Sequence, residues 1–203
     1  MNNLSKLILI VSITFSYTNS YSQDNNNPWQ FSFGVHAVDL EVNSQSEFGD
    51  YFAVDENWNV SSGLSMFTLS KYLGDNLSIG LSGSVNSISN FAQSNVFVNE
   101  VSYFAADLMV KYSLAEVLNF EVIEPYVGIG VGNTCMDTES WLTTNGTIGM
   151  NYWFSDVLGL TAQADYKMNM SENGSGNTIL LDDGGSMRYS LGLSLKFGAE
   201  DKE

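Results

Sequence analysis

The sequence predicts an all-β fold: an eight-stranded antiparallel up-and-down transmembrane β-barrel. Three observations lead there. Eight stretches of the chain alternate apolar and polar residues with period two, as strands with two unlike faces do. The connectors between them are mostly long and polar on one side and tighter on the other, the habit of a spanning barrel. The basic residues fall almost entirely on the polar faces of strands and avoid the loops.

The chain opens with an address segment. Lys6 precedes an apolar run, Leu7 to Phe15, too short to cross a bilayer as a helix. Ser20 and Ser22 are small and two apart, as signal peptidase requires. Cleavage is expected after Ser22, making 1–22 a signal peptide and 23–203 the barrel domain, with Gln23 as the new N-terminus. No cysteine stands at the cleavage point, which argues against a lipid-anchored lipoprotein. Beyond it no apolar run approaches about 18 residues, so no transmembrane helix is expected.

The expected strands are roughly 29–40, 58–72, 77–90, 100–113, 125–134, 141–154, 158–170 and 185–198. Their length suits a spanning barrel, whose tilted strands need ~9–11 residues. Polar connectors are expected at 41–57, 91–99, 135–140 and 171–184, and tight turns at 73–76 and 155–157. The connector 114–124 has the pattern of a short amphipathic helix.

The two faces of each strand follow from parity. In the first strand Trp29, Phe31, Phe33, Val35 and Ala37 oppose Gln30, Ser32, Gly34 and His36. In the third, Leu77, Ile79, Leu81 and Val85 oppose Ser78, Gly80, Ser82 and Ser84. In the fourth, Phe104, Leu108, Val110 and Tyr112 oppose Tyr103, Asp107, Met109 and Lys111. The fifth carries Gly128, Gly130 and Gly132 on one parity, where a narrow lumen needs room for side chains from opposite strands. The sixth to eighth strands alternate as cleanly, for example Leu191, Leu193 and Leu195 against Ser190, Gly192 and Ser194. The second is the least regular: Phe67 and Leu69 fall on the polar parity and Ser62 and Ser70 on the apolar one.

Alternation alone fits a soluble barrel, apolar inside, or a membrane barrel, apolar outside. The charges discriminate. Of seven Lys and Arg, Lys6 is in the signal segment and Lys202 in the C-terminal tail; Lys71, Lys111, Lys167, Arg188 and Lys196 lie on polar strand parities. A basic side chain facing lipid near the midplane costs ~2–4 kcal/mol, so these five are expected in the lumen, with Asp107 and Asp165 neutralising them in an interior network. The near-zero mean hydropathy is then the average of an apolar belt and a polar lumen.

The last strand ends Ser190-Leu191-Gly192-Leu193-Ser194-Leu195-Lys196-Phe197. The positions of Ser190, Gly192, Leu195 and the terminal aromatic Phe197 look like the β-signal by which the outer-membrane assembly machinery recognises a final strand. With this in view, the segments Asn27 to Val35 with Val38-Asp39, Trp58-Asn59-Val60, Ser70 to Gly80, Trp153-Phe154 and Leu195 to Gly198 resemble the barrel domain of outer-membrane protein A (OmpA)-like proteins. The resemblance covers about 27–198. It implies an eight-stranded barrel integral to a bacterial outer membrane. A monomer in contact with membrane lipid and lipopolysaccharide is expected. Many such proteins continue through an acidic linker into a peptidoglycan-binding domain; here Gly198 is followed by Ala199-Glu200-Asp201-Lys202-Glu203, so wall anchoring is not carried over, and the sequence is either the barrel alone or part of a longer protein.

Composition excludes other classes. A net charge of −16, from 23 acidic and 7 basic residues, disfavours a nucleic-acid partner. One cysteine, Cys135, and one histidine, His36, leave no disulfide and no expected metal or cofactor site. Gly128-x-Gly130-x-Gly132 lacks the helix and lysine of a phosphate loop. His36 on the lumen parity is expected to be a hydrogen-bonded lumen residue, not one of a catalytic triad. The acids Glu41, Glu47, Asp50, Asp55 and Glu56, then Asp137 and Glu139, then Glu172, Asp182 and Asp183 crowd three of the outer loops without a basic residue. Their spacing is not that of an EF-hand. The expected function is therefore structural and non-enzymatic, supporting the envelope and presenting acidic loops. The alternatives are a small porin for ions or small solutes and, less favoured, a lipid A-modifying enzyme.

Overall fold

The structure, a computed structural model, describes residues 23, 26–40, 58–89, 100–170 and 185–198. The expected signal peptide, the loops expected at 41–57, 91–99 and 171–184, and Lys202 lie outside the described residues.

The strands are β1 (Trp29–Asp39), β2 (Trp58–Val60), β3 (Met66–Gly74), β4 (Leu77–Ile88), β5 (Val101–Ser113), β6 (Ile123–Met136), β7 (Glu139–Trp153), β8 (Leu158–Asn169) and β9 (Gly185–Phe197). A single helical turn, α1 (Ala115–Leu118), joins β5 to β6. The order is β1-β3-β4-β5-β6-β7-β8-β9, all antiparallel, and β9 pairs back onto β1 over eleven residues, from Trp29↔Phe197 to Asp39↔Met187. Eight strands thus close into a barrel with no free edge, and the short β2 adds to β1 at one rim.

The distribution of residues is inside-out relative to a soluble protein. Ile129, Ile148 and Leu81 are 74%, 64% and 61% exposed, whereas Asp165 is fully buried and Lys167 and Arg188 are 1% exposed. Apolar side chains form the outer wall; hydroxyls, amides and charges fill the inside.

The irregular second strand has a simple cause. Ala37 pairs with Val60 and Gly34 with Met66, so three steps along β1 face six along its partner. Three extra residues at Ser61–Ser65 are an odd number, and an odd insertion exchanges the two faces. Val60 faces out with Ala37, and beyond the insertion Phe67 and Leu69 face out instead, 46% and 43% exposed. Ser65 and Ser61 donate their amides to Gly34 O and His36 O, both at 2.9 Å, keeping the wall sealed.

One expected loop is absent. Residues 135–140 form a two-residue turn, Asp137-Thr138, with Asp137 at φ 53°, because β6 and β7 pair to Met136↔Glu139. At the other rim Asp75 and Asn76 (φ 50° and 64°) make the tight β3–β4 turn, in the left-handed region that short hairpins favour. The Asn76 side-chain amide donates to Glu116 of α1 at 2.6 Å, tying the turn to the β5–β6 connector. The rim carrying these turns is called the turn end below; the rim carrying Asp39, Trp58 and Met136 is the loop end.

Candidate functional site in the lumen

The inward side chains form three zones along the axis. At the loop end Val38, Ile88, Tyr103, Met136 and Trp141 pack with Ala105 into an apolar cluster, all at most 9% exposed. Parity does not reveal this apolar cap inside an otherwise polar lumen, because Met136 falls within the loop expected at 135–140 and Trp141 at its edge.

Below it lies a charged bridge. β5 and β9 are four places apart in a ring of eight, so Asp107 and Arg188 start from opposite walls. Arg188 Nη1 donates to Asp107 Oδ2 at 2.7 Å and to Ser84 at 3.0 Å; Nη2 and Nε reach Asp165 Oδ2 at 2.8 and 2.9 Å. Lys167 donates to Asp107 Oδ1, which also accepts from Asn145 at 2.8 Å. Asp165 accepts from Thr147 and, at 2.7 Å, from Gln163. Two carboxylates and two cations therefore balance, and both carboxylates and Arg188 accept or donate further hydrogen bonds beside their counter-charges, which burial demands. Glycines on β6 make the space: a Cβ on Gly132 would strike the Asp107 carboxylate, and one on Gly130 the Met109 sulfur.

Toward the turn end the lumen is lined by polar side chains around a small cavity of about 40 Å³. Ser32, Thr68, Ser70, Gln30 and Thr161 line it, and Gln23 closes on its mouth, donating to Pro28 O at 2.5 Å and Ser70 O at 3.3 Å. Lys111 stands at its wall, 2.7 Å from Gln163 Oε1 and over the Tyr126 ring at 4.5 Å. Glu124 accepts from Trp153 Nε1 at 2.8 Å and Asn151 at 3.1 Å, and Lys196 lies 4.1 Å from the centre of the Trp153 ring.

Of the seven residues expected in a lumen network, the structure joins Asp107, Asp165, Lys167 and Arg188 directly. Lys111 and Lys196 are also inward but belong to the lower zone. Lys71 is a correction: it is exposed on the outer face, 5.3 Å from the Trp29 ring centre, because the odd insertion before β3 reverses that strand's parity. Glu124 was missed. It shares the parity of Gly128 and Tyr126, but Pro125 was read as the strand boundary.

His36 is buried, and its Nδ1 is 2.8 Å from Ser65 Oγ, which donates to Ser61 at 2.6 Å. Among the described residues His36 hydrogen-bonds no carboxylate. Cys135 faces Asn133 and Ser140 on the outer wall beside the β6–β7 turn. The residues expected to form a β-signal, Ser190, Gly192, Leu195 and Phe197, occupy the seam between β9 and β1. Leu195 and Phe197 face outward, and Gly192 abuts Gly34 so closely that a Cβ would meet the Phe33 carbonyl.

No family model and no curated protein sequence matches this chain. Solved structures do. The outer membrane protein OprG from Pseudomonas aeruginosa superposes with a TM-score of 0.58 at 11% identity, covering 90% of this chain and all of that one. The outer membrane protein AlkL, determined in lipid bilayers, gives 0.53 at 17% identity over 93% of this chain and 98% of its own. The attachment invasion locus protein Ail of Yersinia pestis gives 0.52 at 12% identity over 85% and 99%. The chain therefore has the fold of the eight-stranded outer-membrane barrels, in keeping with the resemblance to OmpA-like barrel domains.

Proposed function

We propose that the protein is a structural barrel, integral to a bacterial outer membrane, whose lumen is closed and whose outer loops are its contact surface. The single observation that carries this reading is the bridge of Asp107, Arg188, Asp165 and Lys167 under the apolar cap. Opposite walls are tied together where a pore would need open water. An eight-stranded barrel has an interior about as wide as its own side chains, and here they fill its loop half. The exposed apolar wall supports a bilayer as the solvent, since contiguous apolar surface of this extent is rare in water. The placement of Ser190, Gly192, Leu195 and Phe197 at the closing seam supports their reading as the assembly signal.

Single-channel recording in planar bilayers tests the proposal. Wild-type protein is expected to give no steady conductance; a well-defined conductance step would overturn the closed-lumen reading. A second reading, passage of small solutes, draws support from the polar lining of the turn half. A lipid-modifying activity has less support, because among the described residues His36 hydrogen-bonds a serine inside the lumen and no acid.

A further inference from the structure

The outer wall is not uniformly ridged. An apolar groove crosses it between two hydrogen-bonding rows. One row runs Val127↔Ile148↔Ala164↔Tyr189↔Ala37↔Val60 across six strands. The parallel row, two residues along each strand, runs from Pro125 to Val35 and includes Ala162. Side chains of the residues between the rows, such as Gln163 and Ser190, point into the lumen, so only their backbone floors the groove. Ala162 and Ala164 keep the walls low in the middle and Ala37 at the β1 end, while Ile148, Met150 and Leu191 raise the flanks.

The groove has a direction and a length. It leaves β6 near the turn end, at Val127, and reaches β1 near the loop end, at Ala37. Four strand spacings of about 4.8 Å make it ~19 Å long from β6 to β1. Rows run perpendicular to strands, and with a strand tilt of ~40° the groove rises ~12 Å along the barrel axis. That is about half of the ~25 Å apolar band of an outer-membrane barrel, the depth of one leaflet. At its upper end Trp58 stacks on Tyr189 with ring centres 4.2 Å apart and planes 14° from parallel. The Trp58 indole N–H is buried and has no hydrogen-bond partner among the described residues. A buried donor without an acceptor, at the head of an apolar groove one leaflet deep, matches an acyl chain with its ester carbonyl at the top.

We propose that this groove holds one acyl chain of lipid A, with Trp58 Nε1 donating to the chain's ester carbonyl. The inference rests on the reading of the protein as an outer-membrane barrel, since that reading puts the loop end in the lipid A leaflet. The carbonyl is a neutral acceptor, so the acidic loops need not be overcome to form the contact.

The test is native mass spectrometry of the purified full chain, after incorporation into bilayers of lipid A and palmitoyl-oleoyl phosphatidylethanolamine with magnesium and transfer to detergent. Wild type is expected to keep one lipid A. Ala162→Phe with Ala164→Phe fills the groove and is expected to lower retention at least ~10-fold. Trp58→Phe, which keeps the ring and removes the donor, is expected to lower it several-fold. Gly83→Phe adds bulk on the opposite wall, where a Cβ meets nothing within 4 Å, and is expected to change nothing. Equal retention by wild type and the filled variant, equal retention of phosphatidylethanolamine, or no retention by wild type would each overturn the proposal. Failure of the outer-membrane reading is separate: it would appear as wild-type protein that neither inserts into bilayers nor shows a heat-dependent gel shift.

Discussion

Asp107 Oδ2 and Arg188 Nη1 are 2.7 Å apart although their strands face each other across the barrel. Few contacts in a barrel join residues so far apart along the sheet; Lys167 to Asp107 and Lys111 to Gln163 span three places, and most of the wall is held by neighbours. Removing Arg188 would leave two buried carboxylates without their main cation. Arg188→Met is expected to destabilise the barrel by about 3–5 kcal/mol, the cost of breaking a buried pair from one side. Urea unfolding in lipid vesicles followed by tryptophan fluorescence measures it; an unchanged midpoint would remove the bridge from the account of stability.

The glycines of β6 and β7 make a matched pair of tests. Gly132→Val places a branched side chain against Asp107 and is expected to cost about 1–3 kcal/mol through overpacking. Gly146→Ala points to open space on the outer wall and is expected to shift stability by no more than about 0.5 kcal/mol. Similar losses in the same unfolding assay would mean that the inward crowding at Gly132 has been misjudged.

Lys71 and Lys167 have opposite surroundings. Lys71 is exposed near the turn end, while the Lys167 side chain is fully buried against Asp107. An amine-reactive ester applied to folded protein in detergent should label Lys71 and spare Lys167 until the sample is boiled. Peptide mass spectrometry reads the two sites; early labelling of Lys167 would contradict the sealed bridge.

The seam between β9 and β1 is where the barrel closes. Gly192→Ala combined with Phe197→Ala is expected to slow assembly, since one change crowds the Phe33 carbonyl and the other removes the terminal aromatic. Folding can be followed by the faster gel migration of unheated protein; insertion at the wild-type rate would dismiss the assembly-signal reading.

A closed barrel retains its shape in mild detergent. Unheated wild-type protein is expected to migrate ahead of boiled protein. Identical migration would count against a closed sheet held by eleven pairs at the β1–β9 seam.

Parity made most of the fold legible. A strand that alternates cleanly, such as Leu191 to Phe197 on β9, states its own two faces, and four of the five basic residues, Lys71 excepted, then say which face is wet. What parity cannot report is a change of count. The odd insertion at Ser61–Ser65 placed Phe67 and Lys71 on the same face, and periodicity alone offers no rule for choosing between a phenylalanine and a lysine there. Turn chemistry was similarly silent at Asp137-Thr138, which lacks the glycine that marks a tight hairpin, so polar residues that belong to strands were assigned to a loop. Glu124 was hidden by Pro125, although an outward-facing proline near a strand end breaks no inward pattern. The bridge was legible as a set of charges and not as a set of contacts: sequence gives which residues face inward, whereas which walls they join depends on the ring order.

The odd insertion also bears on how this wall can change. In the vocabulary of waves, β1 keeps one phase from end to end while its neighbour carries a phase slip. The slip sits between Val60 and Met66, where Ser61 and Ser65 give their amides to β1 and keep the ladder hydrogen-bonded across it. A second slip of three residues elsewhere on the same strand would restore the phase, whereas one of two or four would pass unnoticed. This strand can therefore gain or lose residues at that point only in steps that preserve oddness, unless every side chain from Met66 to Gly74 changes character with it.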